Sequence, residues 1–153
     1  EFLYGSGLRV SELINMKILD LNLENNYGFV RNGKGRKDRM IVLPFIVKEK
    51  IKNLIDIEKL KEEDFIFISN RKRKYSVRSV QQIIRKSAKK SGLKNWKEVH
   101  PHTFRHSFAT QLISNGYDVS QVQGILGHKS PETSMIYVHS ASPKLVNIKS
   151  PLD

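Results

Sequence analysis

The chain has 153 residues, 39% of them hydrophobic, which is enough for one domain with a buried core. It has no cysteine, which excludes disulfides and thiolate metal sites. No signal peptide is evident and no apolar run approaches the roughly 20 residues of a membrane span, so we expect a cytoplasmic protein without a membrane partner. The formal net charge of +12 favours a nucleic-acid partner over an anionic membrane surface, although a merely solubilising surface has the same composition.

The first residues, Glu1 to Tyr4, have the pattern of a helix already under way and no initiator methionine. We therefore interpret the chain as a fragment whose upstream portion is missing. A glycine turn follows, and residues 8–16 have the periodicity of a short helix. Arg9 lies three residues before Glu12, which predicts either an ordinary surface ion pair or an arginine oriented by a carboxylate.

Strand patterning begins after this helix. Residues 18–23 alternate with period 2, and residues 27–31 and 40–43 flank a basic loop with glycines on both sides of Lys34. This pattern predicts a β-hairpin. Its loop is either a charged turn that protects a sheet edge or a phosphate-binding loop, and it lacks the Gly-Lys-Ser/Thr ending of a P-loop.

The middle of the chain predicts further elements. Pro44 favours a helix start, and residues 65–68 have the pattern of a short buried strand. The four cations at 71–74 form either a solvated loop or a phosphate contact. Ser76 is the predicted N-cap of a helix over residues 77–91 that ends before a glycine, and the tryptophan that follows is predicted to be a core or rim anchor.

A helix is predicted from Pro101 to residue 115. Its apolar side chains are predicted to face the core: Phe104, Phe108, Ala109, Leu112 and Ile113. His102 and Arg105 share one face of its first turns, where backbone N–H groups and the helix dipole favour a phosphate. His106 is predicted to be hydrogen-bonded and partly buried. A zinc site with His102 is the less favoured interpretation because no carboxylate accompanies the pair.

The last part of the chain predicts two short helices. Asp118 caps the first, over residues 119–126, and Ser130 caps a second that has Tyr137 near its end. Two short helices around a glycine turn also resemble a helix-turn-helix, so a plain DNA-reading module is an alternative. The apolar tail at 144–148 either folds back or docks on a neighbouring copy.

Five segments in series resemble the motifs of the tyrosine recombinases, the phage integrase family, and most closely its Xer-type enzymes. The segments are residues 7–13 (GLRVSEL), 33–39 (GKGRKDR), 101–110 (PHTFRHSFAT), 126–128 (LGH) and 137–139 (YVH). They are similar to the family's first arginine motif, its hairpin lysine motif, its H-x-x-R box and its last two boxes. Order and spacing agree, and the resemblance covers almost the whole chain.

The resemblance implies an α+β fold, namely a mainly helical catalytic domain of the DNA breaking-rejoining type with a small three-stranded antiparallel sheet. That domain is expected to cover residues 1–153, without the family's N-terminal core-binding domain. No cofactor and no metal are implied. The expected partners are double-stranded DNA and further copies in a homo- or hetero-tetramer on paired DNA sites, joined through the C-terminal segment. The implied active-site residues are Arg9, Lys34, His102, Arg105, His128 and Tyr137.

The same resemblance implies the chemistry. Tyr137 attacks phosphorus and forms a 3′-phosphotyrosine, leaving a free 5′ hydroxyl. Arg9 and Arg105 clamp the non-bridging oxygens, since the arginine fork donates two parallel hydrogen bonds to phosphate, and the histidine of the LGH segment adds a donor. His102 is the candidate base and Lys34 the candidate acid. Because one phosphoester replaces another, rejoining needs neither ATP nor a metal.

Three other functions remain as alternatives from the sequence. A type IB topoisomerase-like enzyme shares the tyrosine chemistry but relaxes DNA as a single copy. A non-catalytic helix-turn-helix module would lack the complete set of six residues. A metal hydrolase is the least favoured.

Overall fold

A computed structural model, which describes residues 1–31, 38–127 and 149–153, contains six α-helices and one three-stranded sheet in those ranges. In chain order the elements are α1 (Phe2–Ser6), α2 (Val10–Leu13), a 3-10 turn (Ile18–Asp20), β1 (Leu21–Asn22), β2 (Tyr27–Val30), β3 (Arg39–Val42), α3 (Phe45–Glu58), α4 (Val77–Lys90), a second 3-10 turn (Trp96–Glu98), α5 (Pro101–Ser114) and α6 (Val119–Leu126). The predicted fold class, mainly helical with a small antiparallel sheet, is confirmed.

The sheet is antiparallel and its strands follow one another in the order β1-β2-β3. Gly28 pairs with Leu21 on one side and with Ile41 on the other. The hairpin of β2 and β3 is therefore the one predicted around the basic loop. Residues 32–37 of that loop, including Lys34, lie outside the described residues.

Local capping explains where the later helices begin and end. The Ser76 hydroxyl accepts a backbone N–H of the first turn of α4 at 3.0 Å. Asp118 caps α6 by accepting the Ser120 N–H at 2.7 Å, and the Gln121 side chain accepts the Asp118 N–H at 3.1 Å. Gly127 ends α6 with a φ of 65°. These boundaries were all predicted from the sequence.

Two groups of buried side chains hold the elements together. The first joins α1, α2, the sheet, α3 and α4, and includes Leu8 and Leu43, which are 0% exposed. The second joins α5 and α6 to the end of β3 around Phe108 and Leu112, which are also 0% exposed. Helix α1 also packs against α5, so the two groups of buried side chains adjoin. Together they hold the chain in place before and after Arg9.

Two predicted strands are wrong in part or in full. In the segment 18–23 only Leu21–Asn22 pairs, because the preceding residues form a 3-10 turn in which Asp20 accepts the Lys17 N–H at 2.9 Å. The segment 65–68 forms isolated bridges to two separate places rather than a ladder. Its apolar character reflects the burial of Ile66, which is 2% exposed, and not pairing along a sheet.

Gly7 gives a prediction about stability. Its φ is +61°, and a Cβ atom there would lie 2.5 Å from Cδ1 of Phe108. Gly116 has a φ of +87° and nothing within 4 Å of such an atom. Alanine at either position incurs the left-handed backbone cost of about 1 kcal/mol, but only Gly7→Ala also displaces Phe108.

We expect Gly7→Ala to lower the free energy of unfolding by about 1–3 kcal/mol more than Gly116→Ala does, because it overpacks the second core group. Urea denaturation of the two variants measures the difference. Equal losses would contradict the packing of Phe108 against Gly7.

Candidate active site

Arg105 is buried between two helix ends. Its side chain lies on the inner face of α5 because Arg105, Phe108 and Leu112 are spaced by three and four residues. Arg105 Nη1 donates to the Gly7 carbonyl at 2.6 Å, and Nη2 donates to the carbonyl of Leu126. The residue is 8% exposed. These two bonds use two of the five N–H donors of the guanidinium.

Arg9 lies next to this position, directly after the Gly7-Leu8 turn, where it is the N-cap residue of α2. Glu12 accepts its backbone N–H at 2.7 Å through Oε2 and its Nη1 at 2.9 Å through Oε1. The Arg9 side chain is 39% exposed, while that of Glu12 is 8% exposed. Of the two interpretations of this spacing, the structure favours an arginine oriented by a buried carboxylate over an ordinary surface pair.

A third arginine completes the cluster, and sequence reasoning missed its part in it. Arg39 begins β3, and its Nη1 and Nη2 donate to the two oxygens of Glu12, each at 2.7 Å. Its Nε donates to the Ile125 carbonyl at 3.0 Å, and the side chain is 10% exposed. We refer to Arg9, Glu12, Arg39 and Arg105 as the arginine cluster.

The surroundings within the cluster shift the pKa values of Glu12 and Arg105. Burial alone raises the pKa of the Glu12 carboxyl, but hydrogen bonds and charge interactions with Arg39 and Arg9 outweigh it and bring the pKa to about 2. Burial lowers the pKa of Arg105 to about 10, and the charges of Arg9 and Arg39 act in the same direction. The Glu12 carboxylate and the Arg105 guanidinium are therefore both charged near neutral pH.

The cluster has a surplus of positive charge. The cluster has three guanidinium groups and one carboxylate, which pairs with Arg9 and Arg39, and among the described residues Arg105 has no ion pair with an acidic side chain. A buried cation held by backbone carbonyls is costly unless an anion joins it. The cluster is therefore suited to bind an anion such as a phosphate group.

Of the other four predicted site residues, only His102 lies within the described residues. His102 lies in the first turn of α5, three residues before Arg105, and its side chain is exposed. His128 and Tyr137 lie outside the described residues, as Lys34 does. The structure thus brings together Arg9 and Arg105 from motifs 96 residues apart, with His102 on the helix that carries the second of them.

Two expectations about α5 are wrong. His106 is exposed rather than partly buried, and Ile113, expected in the core, is 45% exposed. Within residues 1–31, 38–127 and 149–153, no group of three or more histidine or acidic side chains is arranged to hold a metal ion. No helix in those ranges has the length and apolar character needed to cross a bilayer.

Exposed cations cover α4 and its surroundings. Trp96 is half-buried, as predicted for a rim anchor, with Lys89 Nζ 5.4 Å and Lys97 Nζ 5.7 Å from its ring centre. The run at 71–74 is also exposed. The exposed cations of α4 are Arg78, Arg85, Lys86, Lys89 and Lys90.

Several known proteins are similar to this chain in sequence. Residues 1–143 match the model of the phage integrase family. The chain is 40% identical over 146 residues to the tyrosine recombinase XerA of Pyrococcus furiosus, covering 94% of this chain and 49% of that protein. It is 36% identical over 155 residues to the tyrosine recombinase XerD of Listeria monocytogenes, covering 97% and 51%. The chain thus spans about half the length of these relatives.

Solved structures are similar as well. A crystal structure of XerA recombinase superimposes with a TM-score of 0.76 at 37% identity, over 90% of this chain and 50% of that one. The XerH site-specific recombinase, bound to its difH substrate in a pre-cleavage complex, has a TM-score of 0.68 at 28% identity, over 92% and 42%.

The pKa of Glu12 gives a prediction about acid stability. Because the folded-state value of about 2 lies below the ordinary 4.5, the carboxylate contributes stability that is complete above pH 4.5 and is lost as the pH falls towards 2. We expect Glu12→Gln to lower the free energy of unfolding by about 3 kcal/mol at pH 7. The difference in the free energy of unfolding between the unaltered chain and Glu12→Gln should decrease by about 2 kcal/mol as the pH falls from 6 to 3.

Urea denaturation across this pH range measures the effect. Glu63→Gln is the control, because Glu63 also pairs with a cation, Lys17, but its side chain is 75% exposed. A pH-independent difference between the Glu12→Gln variant and the unaltered chain would contradict the low pKa of Glu12.

Proposed function

This chain belongs to the phage integrase family of tyrosine recombinases, and on that premise we propose that it cleaves and rejoins DNA strands at specific sites through a 3′-phosphotyrosine intermediate. The observation that carries the proposal is the buried Arg105 beside Arg9, held by backbone carbonyls and without an acidic partner among the described residues. A backbone phosphate is the anion that such a site on a strongly basic chain would bind.

Double-stranded DNA is the proposed partner. Solved relatives support this, since the XerH recombinase has been captured with difH DNA before and after cleavage. The exposed cations of α4 and of the run at 71–74 also suit sequence-independent phosphate contacts. Assembly of four copies on paired sites, through the C-terminal segment, is the finer proposal that the family resemblance supports.

The proposed reaction uses the arginine cluster to stabilise charge. Three guanidinium groups and one carboxylate leave a formal surplus of two positive charges. A phosphodiester carries one negative charge, and attack by a phenolate brings the phosphorane-like transition state close to two. Groups fixed in place before the reaction favour the transition state over the ground state. Arg9, the more exposed of the pair, and Arg105 would bind the two non-bridging oxygens.

The remaining steps are proton transfers. A free tyrosine has a pKa of about 10, so the phenol of Tyr137 must lose its proton to attack phosphorus. His102 is the proposed base, His128 a further donor to the phosphate, and Lys34 the proposed acid that protonates the leaving 5′ oxygen. Since the phosphotyrosine conserves the energy of the phosphodiester, the reverse attack by a 5′ hydroxyl rejoins the strand without nucleotide hydrolysis.

We expect Tyr137→Phe to abolish covalent capture while DNA binding persists, because only the nucleophilic oxygen is removed. The measurement is incubation with a nicked suicide DNA duplex, followed by denaturing electrophoresis. Tyr75→Phe, at a half-buried tyrosine that packs against the first core group, is the control and should form the adduct. An SDS-resistant band in the Tyr137→Phe variant would refute the nucleophile assignment. The adduct of the unaltered chain should survive EDTA.

We expect Arg105→Ala to lower the rate of adduct formation by about 10²–10³ while the DNA dissociation constant changes far less, because its donors act mainly in the transition state. Single-turnover rates at saturating DNA and a binding titration separate the two effects. Equal losses in rate and affinity would mean that Arg105 only binds DNA.

A further inference from the structure

We propose that Arg39 is a positioning residue of the strand-transfer site: it shares the Glu12 carboxylate with Arg9, which prevents a bidentate pair between Glu12 and the Arg9 guanidinium, and it fixes the end of α6. This inference rests on the proposed function. Arg39 is not one of the six residues that the family resemblance supplies. It begins the strand that leaves the basic hairpin, yet its side chain is only 10% exposed.

The contacts of Arg39 join parts of the chain that are distant in sequence. Both terminal nitrogens donate to Glu12, 27 positions away, at 2.7 Å. The Nε atom donates in a different direction, to the Ile125 carbonyl 86 positions away, at 3.0 Å. One planar group thus links the sheet, α2 and the last turn of α6.

The stem of Arg39 also packs on Gly127, the residue that ends α6. A Cβ atom on Gly127 would lie 2.9 Å from Arg39 Cδ and 3.3 Å from Nε. Glycine is therefore needed there both for its φ of +65° and for the approach of Arg39. Arg105 donates a hydrogen bond to the neighbouring Leu126 carbonyl, so two guanidinium groups bind the C-terminal end of α6.

Arg39 limits how strongly the Glu12 carboxylate pairs with the Arg9 guanidinium. Glu12 Oε1 accepts from Arg39 Nη1 at 2.7 Å and from Arg9 Nη1 at 2.9 Å, so the carboxylate is shared. Without the Arg39 fork, both oxygens could turn to the Arg9 guanidinium and form a bidentate pair with it. Such a pair would offset the charge of Arg9 and rotate its donors away from the phosphate position.

A lysine at position 39 would not replace this arrangement. An ammonium group is a compact donor on a flexible stem, whereas the guanidinium presents two parallel N–H bonds and a third at a fixed angle. Arg39→Lys therefore keeps the positive charge and removes the geometry. That separation makes it the informative variant.

We expect Arg39→Lys to lower the rate of adduct formation at saturating DNA by about 10- to 100-fold, because displaced transition-state donors lose rate. The DNA dissociation constant should stay within about threefold, because the charge is kept. The measurement is single-turnover capture on nicked suicide DNA, at a temperature where circular dichroism shows every variant to be folded.

Arg31→Lys is the matched control. Arg31 flanks the other side of the same hairpin and also pairs with a largely buried carboxylate, with its Nε 2.7 Å from Asp20 Oδ1. Asp20 is not part of the arginine cluster, so the rate should stay within about twofold of the unaltered chain. Equal rates for Arg39→Lys and Arg31→Lys would overturn the proposal.

A double-mutant cycle tests whether Arg39 acts through Glu12. In the Glu12→Gln background there is no carboxylate that could form a bidentate pair with Arg9, so Arg39→Lys should change the rate by less than about threefold. A purely structural Arg39 would give losses that multiply. Multiplying losses would therefore also overturn the proposal.

A readout without DNA distinguishes failure of this inference from failure of the proposed function. We expect inorganic phosphate to raise the melting temperature of the unaltered chain and of Arg31→Lys, but to raise that of Arg39→Lys less. If the unaltered chain forms no adduct but phosphate stabilisation still depends on Arg39, the proposed function is wrong and the positioning role stands. If adducts form and phosphate stabilises all three proteins equally, the positioning role is wrong.

Discussion

The Glu12 carboxylate is the interaction on which the rest of this site depends. It receives three guanidinium N–H bonds and one backbone N–H from two arginines, at 2.7–2.9 Å, and its pKa is about 2. The guanidinium groups of the cluster repel one another strongly, because they are partly buried and screening by water is weak there. The Glu12 carboxylate, shared by Arg9 and Arg39, offsets part of this repulsion. Removing it would leave buried cations unpaired, which is far more destabilising than losing a surface pair.

Because Glu12 pairs unequally with the three arginines, their charges are matched to different extents. Arg39 faces Glu12 with its whole fork and has little exposed surface, so its charge is largely matched. Arg9 gives only one guanidinium nitrogen to Glu12 and remains 39% exposed. Arg105 is buried but gives no nitrogen to a carboxylate among the described residues. The unmatched charge therefore lies on Arg9 and Arg105, which are the two residues proposed to bind phosphate.

Sequence reasoning succeeded where the controlling interaction is local. The helix that begins after Ser76, the cap at Asp118 and the inward face of α5 at Phe108 depend on side chains within one or two turns, which a sequence displays directly. It failed where partners are distant. Nothing near Arg39 indicates that its fork reaches residues 12 and 125, and the apolar run around Ile66 looks like a strand although it is simply buried.

The backbone solves a problem that acidic side chains could not. An arginine must be held rigidly to act on a phosphate, yet a carboxylate that held Arg105 would cancel the charge that the phosphate needs. The carbonyls of Gly7 and Leu126 lie where α1 and α6 end, and the carbonyls at a helix C-terminus carry partial negative charge and lack partners within the helix. They orient the guanidinium without neutralising it. The price is a pKa for Arg105 lowered to about 10, which still leaves it a cation at neutral pH. Two glycine-ended helices thus supply the rigidity of the cluster, and its net charge remains available to the ligand.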